Sequence, residues 1–414
     1  MRLLQITKKF PYPLHDGESI AVTNLSRALV QLGWEVDLIA MNTSKHPFHG
    51  KDKPDALNHY GKVVHVSIDN EVTWKGALLH LLKGKSYQAE RFIDFEFEQK
   101  LGQMLRSENY DVVQLESFYL SPYIDAIRRY SHAHVSMRAH NIEHLIWKRL
   151  AENTGWGLKR WYLNRISKEL EQLESSFFSS YDSILAISDC DEKKFSQLGF
   201  SGLMKTIPIG LDTQNYDRVS IEESKDMGFI GTLDWRPNEQ GLRWFLDEVW
   251  SQCLNFIGPS RLNVAGRGAS AALRGKLEST PYCTFHGAVP CADQFLQQNS
   301  IMIVPLLSGS GMRVKIIEGM AKGMLVITTR LGLEGIPAQH GKEVLIADSP
   351  KEFAACIQQA LNEPQKVKAI QKNAISFVGE KFDMLLQGQR LHEFYCENLP
   401  ISDKKQQSMI TFDA

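Results

Sequence analysis

The strongest constraint on the fold is an alternation of short β-rich runs with longer stretches of helical periodicity. The first series of runs is RLLQIT, EVDLIA, VVHVSI, DVVQLE, HVSMRA and SILAIS, and the second is DMGFIG, RLNVAG, CTFHGA, IMIVPL, MLVITT and VLIA. Segments with apolar residues at helical spacing, such as SIAVTNLSRALVQLG, separate them. This alternation is typical of parallel sheets. We therefore predict an α/β protein with two doubly wound, Rossmann-like domains that face a cleft.

The length of the chain also favours two domains. The chain has 414 residues, and single hydrophobic cores stop growing at roughly 250 to 300 residues. We predict an N-terminal domain over residues 1–205 and a C-terminal domain over 206–380, joined through the polar segment KTIPIGLDTQNYDRVSIEESKD. Residues 381–400 are predicted to form a helix that returns to the first domain, and residues 401–414 a flexible tail.

Composition excludes several classes of protein. The chain carries 47 Lys and Arg against 48 Asp and Glu, which does not favour a nucleic-acid partner. Its six cysteines are scattered without C-x-x-C pairs, so we expect reduced thiols rather than a disulfide framework. The start MRLLQIT enters a strand directly, and no run of about 18 apolar residues follows. We expect a cytoplasmic protein, and contact with the inner face of the membrane remains open.

The stretch LLSGSGMRVKIIEGMAKGMLVITT places a glycine-rich loop between a strand and a helix. The loop residues Gly309, Ser310 and Gly311 allow a tight path into the helix, whose free backbone N–H groups attract anions. Arg313 and Lys315 add positive charge, and Glu318 follows on about the same helix face, one turn deeper. This pattern fits a nucleotide, with phosphates at the helix start and ribose hydroxyls at the carboxylate. The alternative is a surface helix with an ion pair between Lys315 and Glu318.

Two positions in the first half of the chain are also candidates. Gly17 lies in the loop FPYPLHDGESIAVTNLSRAL after the first strand, where its backbone can approach a phosphate or a sugar, or it is simply a turn residue. Ser19 is a candidate helix N-cap. The single glycine departs from the G-x-G-x-x-G dinucleotide fingerprint.

His140 begins the run HNIEH, where the strand HVSMRA ends. A zinc site formed with His144 would need a third ligand, and the H-E-x-x-H order is absent. A structural histidine is the other interpretation. Glu143 and His144 could orient His140 or cap the helix.

Two aromatic and basic stretches, VTWKGALLHLLKGKSYQAERF and WGLKRWYLNRISK, could touch a membrane or a lipid-linked acceptor. Amphipathic helices of this kind are more often packed on one side and solvated on the other. Both interpretations stay open for each stretch.

The run GSGMRVKIIEGMAKG resembles the donor-binding signature of the GT-B glycosyltransferases, specifically glycosyltransferase family 4 in the branch that reads G-x-G-x-R-x-K-x-x-E-x-M-A-x-G. The segments DMGFIGTLDWRPNEQGLRWFLDEVW, TFHGAV, IPIGLDTQNY, RAHNIEH and ILAISDCDEKKF resemble other parts of that family in the same order. The resemblance covers roughly residues 1 to 390. It implies the GT-B fold and a glycosyltransferase activity.

For the second domain, the resemblance implies that Glu318 holds the donor ribose. The family's sugar-binding glutamate falls at Ser310 here, and its usual phosphate cations fall near Thr232 and Asn238. Arg313 and Lys315 are the cations available in their place. The resemblance also implies a donor contact at Val289, in the nucleobase loop.

For the first domain, the resemblance places the Gly17 loop over the donor diphosphate and His140 beside the transferred sugar. The predicted catalytic residues are His140, Arg313 and Lys315. The predicted donor-binding residues are Gly17, Gly309, Ser310, Gly311, Arg313, Lys315, Glu318 and Val289.

The resemblance implies a retaining transferase that moves a sugar from a nucleotide diphosphate sugar to a hydroxyl acceptor, in bacterial surface polysaccharide or glycolipid synthesis. The nucleotide sugar is a co-substrate, and we expect no cofactor and no metal. The expected acceptor is a glycan or a lipid-linked sugar. Two alternatives remain: a sugar-nucleotide epimerase of the same architecture, and a non-catalytic nucleotide-sugar binding subunit, which Ser310 motivates.

Overall fold

The computed structural model describes residues 1–14, 16–44, 47–50, 52–70, 90–214, 216, 225–309 and 311–399. Within these residues, the strands are β1 (Arg2–Thr7), β2 (Glu35–Thr43), β3 (Val63–Ile68), β4 (Val112–Leu115), β5 (His134–Ala139), β6 (Ser183–Ala186), β7 (Leu203–Thr206), β8 (Met227–Ile230), β9 (Leu262–Ala265), β10 (Cys283–Gly287), β11 (Ile301–Val304), β12 (Leu325–Thr328) and β13 (Leu345–Ile346). Every β-rich run predicted from the sequence overlaps one of these described strands. Only β7 was not predicted.

Helices occupy most of the intervals between the strands. The described α-helices are α1 (Gly17–Gln31), α2 (Phe95–Ser107), α3 (Ile124–Tyr130), α4 (Glu143–Glu152), α5 (Leu158–Ser176), α6 (Asp189–Gln197), α7 (Arg236–Trp244), α8 (Ala271–Ser279), α9 (Ala292–Gln297), α10 (Val314–Ala321), α11 (Pro350–Asn362), α12 (Pro364–Phe382) and α13 (Met384–Asn398). After α7, the chain continues through a π-helical segment, Phe245–Trp250, into a last short turn, Ser251–Cys253.

The strands form two fully parallel sheets. The first has the order β3-β2-β1-β4-β5-β6-β7, and the second has the order β10-β9-β8-β11-β12-β13. In each sheet the order reverses beside its first strand, which is the doubly wound arrangement. The predicted fold class, two Rossmann-like parallel-sheet domains, is confirmed. Because neighbouring strands are parallel, the loops at their carboxyl ends lie along one edge of each sheet.

Each sheet belongs to its own compact unit. The first unit contains Met1–His140, Glu169–Gly210 and the chain from Met384, and the second contains Asn141–Lys168 and Leu211–Asp383. Residues 141–168, which the sequence predicts in the first domain, belong to the second compact unit in the structure. The predicted tail, residues 401–414, lies outside the described residues.

Helix α13 completes the core of the first unit. Its residues Leu391, Phe394 and Tyr395 are buried in the cluster that contains the strands' apolar side chains, and the Tyr395 hydroxyl donates to Gln114 Oε1 at 3.1 Å. Gly388 lets α13 approach α1 closely, because a Cβ at this position would lie 2.6 Å from the Cβ of Ala28.

Two glycine substitutions should therefore have opposite effects on stability. Gly379 lies on the exposed side of α12, and a Cβ there would meet nothing within 4 Å, so Gly379→Ala should stabilise the protein by about 0.5–1 kcal/mol through helix propensity. Gly388→Ala makes the same helical change but forces α13 away from α1, and overpacking of this kind costs about 1–3 kcal/mol. Urea unfolding followed by circular dichroism measures both variants, and equal shifts of the midpoint would contradict the packing described for α13.

Candidate functional site

The loop between β11 and α10 turns sharply through its glycines. Gly309 and Gly311 have φ angles of 107° and 83°, which side chains with a Cβ rarely adopt. A Cβ on Gly311 would also collide with the side-chain oxygen of Asn141. The loop thus requires glycine at both positions. Ser310, between them, lies outside the described residues.

Arg149 of α4 holds this loop in place. Its Nη1 donates to the Gly309 carbonyl at 3.1 Å, and its guanidinium forms a two-pronged ion pair with Glu334, at 2.6 and 2.5 Å. Bidentate pairs of this kind fix orientation as well as charge. Arg149 is a positioning residue of the loop that sequence analysis did not identify.

Of the two predicted cations, Arg313 is buried and Lys315 is partly buried. Arg313, the residue before α10, is 6% exposed, donates to the Gly311 carbonyl, and has its guanidinium carbon 5.8 Å from the centre of the Trp235 ring. Burial and, to a smaller extent, the charge of Arg149 lower the pKa of Arg313 to about 10, although the charge of Glu334 opposes the shift. The guanidinium therefore remains charged at neutral pH.

Lys315 crosses from the first turn of α10 to the end of β8. Its Nζ donates to the Ile230 carbonyl at 3.2 Å and to Asn238 Oδ1 at 3.1 Å. Burial, with a smaller contribution from the charge of Arg313, lowers the pKa of Lys315 to about 7. A negatively charged ligand at this place would restore the protonated form.

Glu318 has separate partners, one turn further along α10. Its Oε1 accepts from the Tyr216 hydroxyl at 3.4 Å. Lys322 lies with its Nζ 4.6 Å from the centre of the Tyr216 ring and forms an ion pair with Asp293 at 2.7 Å. Burial raises the pKa of Glu318, which Lys322 partly offsets and Asp293 reinforces. Lys315 and Glu318 thus point to different partners instead of forming the surface ion pair that the sequence left open.

The remaining predicted donor residue of this unit is Val289. It is partly buried and follows β10, whose last residue is Gly287. Because β10, β8 and β11 are parallel strands of one sheet, Val289, Lys315 and the glycine loop all belong to segments at its carboxyl edge. The structure thus brings Val289, Lys315 and the glycine loop to the same edge of the second sheet.

In the first unit, Gly17 is the first residue of α1. The N-cap of that helix is Asp16, whose carboxylate accepts from the backbone N–H groups of Glu18 and Ser19, each at 3.1 Å. The assignment of Ser19 as N-cap is therefore wrong, because the helix begins three residues earlier than that assignment requires. Lys9 pairs with Asp16 at 2.6 Å.

His140 belongs to a buried cluster around Glu116, directly after β4 and β5. Its Nε2 lies 2.8 Å from Glu116 Oε2, and the guanidinium Nη1 of Arg138 lies 3.6 Å from the same oxygen. Gln5 and Gln114 donate to Glu116 Oε1 at 2.5 and 2.6 Å. The side chains of Glu116 and Arg138 are fully buried.

The cluster fixes the charge of Glu116. Although burial alone would raise its pKa, the His140 hydrogen bond, the charge of Arg138 and the Gln5 hydrogen bond lower it to about 2. A carboxylate can only accept hydrogen bonds, so His140 donates through Nε2. A neutral imidazole in this position carries its lone pair on Nδ1.

The pair His140 and His144 does not lie on one helix. His140 follows β5, whereas His144 is in the first turn of α4 and receives the Ser167 hydroxyl on its backbone carbonyl at 3.0 Å. The residue before α4 is Ile142, which makes no side-chain cap. In the described part of the chain, no group of three His, Cys, Asp or Glu side chains is placed to hold a metal ion.

The two basic stretches are described to different extents. Lys75, Lys83 and Lys85 of the first lie outside the described residues. The second begins two residues before α5 and continues into it, with Trp156, Leu158 and Trp161 exposed. None of the described helices is long and apolar enough to cross a membrane.

Two family models match the chain. Residues 16–215 match Glycosyltransferase Family 4, and residues 224–363 match Glycosyl transferases group 1. An uncharacterised 44.6 kDa protein in the cps region of Klebsiella pneumoniae is 23% identical over 398 residues, which cover 92% of this chain and 96% of that protein.

Solved structures show the same architecture. Sucrose-phosphate synthase from Thermosynechococcus elongatus superposes with a TM-score of 0.69 at 15% identity, covering 96% of this chain and 99% of that one. HepE from Anabaena, solved in complex with UDP, gives a TM-score of 0.67 at 15% identity, over 96% and 100% of the two chains.

Two Rossmann-like parallel-sheet domains with this similarity show that the protein has the GT-B fold. The chain belongs to the group 1 glycosyltransferases, with a family 4 domain in its first half and a group 1 domain in its second. The predicted membership of the family 4, group 1 type glycosyltransferases is confirmed, and the branch with the G-x-G-x-R-x-K-x-x-E motif stays a prediction.

Replacement of Glu116 by glutamine tests the buried cluster. Glu116→Gln keeps the shape of the side chain but leaves the charge of Arg138 buried without its carboxylate, so we expect the free energy of unfolding to fall by about 3–5 kcal/mol. Adding Arg138→Met should recover a large part of that loss, because the uncompensated charge is removed. Denaturant unfolding of the two single variants and the double variant gives the coupling energy, and additive losses would show that the two side chains are not coupled.

Proposed function

We propose that this glycosyltransferase takes its sugar from a nucleotide diphosphate sugar, with retention of anomeric configuration, and transfers it to a hydroxyl of a glycan or lipid-linked acceptor. The observation that carries the proposal is the position of Lys315, whose ammonium is held by Asn238 and the end of β8. The resemblance locates the family's phosphate cations in that segment, and here a lysine from α10 reaches it. With Arg313 and the start of α10, it forms a cationic site suited to a diphosphate.

The same residues suit the chemical step. The bond between sugar C1 and the phosphate oxygen breaks, and its electron pair leaves with the diphosphate. Arg313, Lys315 and the helix start stabilise that growing negative charge. The acceptor hydroxyl attacks C1, and its proton passes to the leaving phosphate oxygen. The reaction thus requires no protein nucleophile, cofactor or metal, and the nucleotide sugar acts as a co-substrate.

Glu318 and Val289 are assigned to the nucleoside. The partly buried carboxylate of Glu318 is suited to accept hydrogen bonds from two ribose hydroxyls, and the loop of Val289 to contact the base. HepE was also solved with UDP-glucose, which makes uridine nucleotides the first probes.

His140 is assigned to contact the transferred sugar. The Gly17 loop of the first domain is assigned to contact the donor diphosphate. Because Glu116 binds Nε2, the neutral imidazole offers Nδ1 as an acceptor for a sugar hydroxyl. Glu116 then acts as a positioning residue that sets the tautomer.

The biological setting follows from a relative. The Klebsiella pneumoniae protein lies in a cps region, which supports a role in bacterial surface polysaccharide synthesis at the cytoplasmic side of the membrane. An epimerase of the same architecture and a non-catalytic binding subunit are the alternatives. Consumption of the donor separates them: a transferase needs an acceptor, an epimerase converts the donor alone, and a binder consumes none.

The donor site is tested by titrating the purified protein with UDP, GDP, ADP and their sugar conjugates, by calorimetry. One nucleotide should bind, and Glu318→Ala should weaken that binding by about 1.5–3 kcal/mol through loss of a charged hydrogen-bond acceptor. The matched control is Glu278→Ala, which removes an exposed glutamate from α8 of the same unit and should bind like the wild type. Equal affinities of Glu318→Ala and the wild type would remove Glu318 from the site.

The pKa of Lys315 predicts how donor affinity depends on pH. Because its pKa is about 7 in the free protein and a diphosphate favours the ammonium form, binding raises that pKa and takes up a proton. Affinity should be highest below pH 7 and fall above it, by at most about tenfold per pH unit, until the pKa of the complex is reached. The nucleotide sugar suits this titration, since its diphosphate has no terminal phosphate to titrate in this range.

Calorimetry between about pH 6 and about pH 9 measures this dependence, and two buffers of different ionisation enthalpy report the proton uptake. Lys315→Met should bind more weakly and lose the pH dependence. Lys351→Met, an exposed lysine at the start of α11, should keep it. An unchanged pH profile in Lys315→Met would assign the titration to another group.

A further inference from the structure

Three large apolar side chains are exposed around the start of α5: Trp156 just before the helix, and Leu158 and Trp161 in its first turn. Trp156, Leu158 and Trp161, which we name the tryptophan patch, are 93%, 87% and 58% exposed. The opposite face of the helix is buried through Leu163 and Leu170. Helix α5 is thus apolar on two sides, and only one of them packs against the protein.

Positive charge surrounds the tryptophan patch. From Asn153 to Lys168, the sequence NTGWGLKRWYLNRISK contains four cations and no carboxylate. The guanidinium carbon of Arg160 lies 4.9 Å from the centre of the Trp156 ring, and that of Arg165 lies 5.9 Å from the centre of the Trp161 ring. Lys159 and Lys168 are exposed.

Indole rings and basic side chains together are suited to the surface of an anionic lipid bilayer. Tryptophan favours the boundary between lipid headgroups and acyl chains, because its ring is apolar and its N–H is polar. Lysine and arginine near that boundary are attracted to anionic headgroups. We infer that the tryptophan patch and its cations bind the surface of an anionic lipid bilayer, with the start of α5 lying in the interface.

Another exposed apolar pair in the protein shows why charge matters to this inference. Ile93 and Phe95 are 53% and 74% exposed, but Asp94, Glu96 and Glu98 accompany them. Anionic lipids would repel that segment. Phe95 therefore provides a control of similar exposure and opposite electrostatic surroundings.

The test is co-sedimentation of the full chain with vesicles of phosphatidylglycerol and phosphatidylcholine in equal parts, beside vesicles of phosphatidylcholine alone. The wild type should sediment with the anionic vesicles and less with the neutral ones. The double variant Trp156→Ala/Trp161→Ala should bind the anionic vesicles about tenfold more weakly or worse. The variant Lys159→Glu/Arg160→Glu should lose binding similarly, and Phe95→Ala should bind like the wild type.

Depth is measured with lipids brominated on their acyl chains, which quench tryptophan fluorescence on contact. Quenching should occur in the wild type and be lost in Trp156→Ala/Trp161→Ala. All substituted residues are exposed or partly exposed, so the thermal midpoints should not change. Donor affinity should not change either, which separates failure of this inference from failure of the proposed donor site.

Three results would overturn the inference. The first is a wild type that does not bind anionic vesicles, and the second is undiminished binding by the tryptophan double variant. The third is that the wild type self-associates and that the tryptophan double variant loses this self-association but still binds vesicles. The patch would then be an interface between copies of the chain.

Discussion

The candidate donor site depends on two basic side chains, Arg313 and Lys315, held at the start of one helix. Burial is the main reason why the pKa values of both groups fall, and a neighbouring positive charge lowers each further: Arg149 for Arg313, and Arg313 for Lys315. The structure offsets this cost with neutral oxygens: the Ile230 carbonyl and Asn238 hold Lys315, and the Gly311 carbonyl accepts from Arg313. The neutral partners of Lys315 fix its ammonium without cancelling its charge, so the group is already ordered for the anion that we propose binds there.

The fold could be predicted from the sequence to a large extent, because parallel strands buried on both faces read as short continuous apolar runs. Strand β7 shows the limit of that signal. Its sequence, LMKT, alternates exposed and partly buried positions at the edge of the first sheet, so it lacks an apolar run. The sequence also could not predict that residues 141–168 belong to the second unit. Contacts such as the one from Arg149 to Glu334, 185 residues away, decide this.

The candidate site also has one part that the sequence predicts and one part that it does not. The loop and helix from Gly309 to Glu318 form one continuous motif, and helical spacing alone relates its residues. Glu116 carried a weaker signal: a charged residue that ends the apolar run DVVQLE at the carboxyl end of a strand. Its environment depends on Gln5, 111 residues away, and on a neighbouring strand that supplies Arg138. Sequence periodicity describes one element at a time, so a cluster assembled from several strands is not visible in it.

Helix α13 has a consequence for how the protein is made. The first unit contains the earliest residues of the chain, yet its core includes Leu391 and Tyr395 from near the end. The hydrogen bond from the Tyr395 hydroxyl to Gln114 joins residues that are 281 positions apart. During synthesis, the second unit emerges from the ribosome with all its strands before α13 does. The domain translated first is thus the last to complete its core, and its apolar surface under α13 remains uncovered until translation is nearly finished.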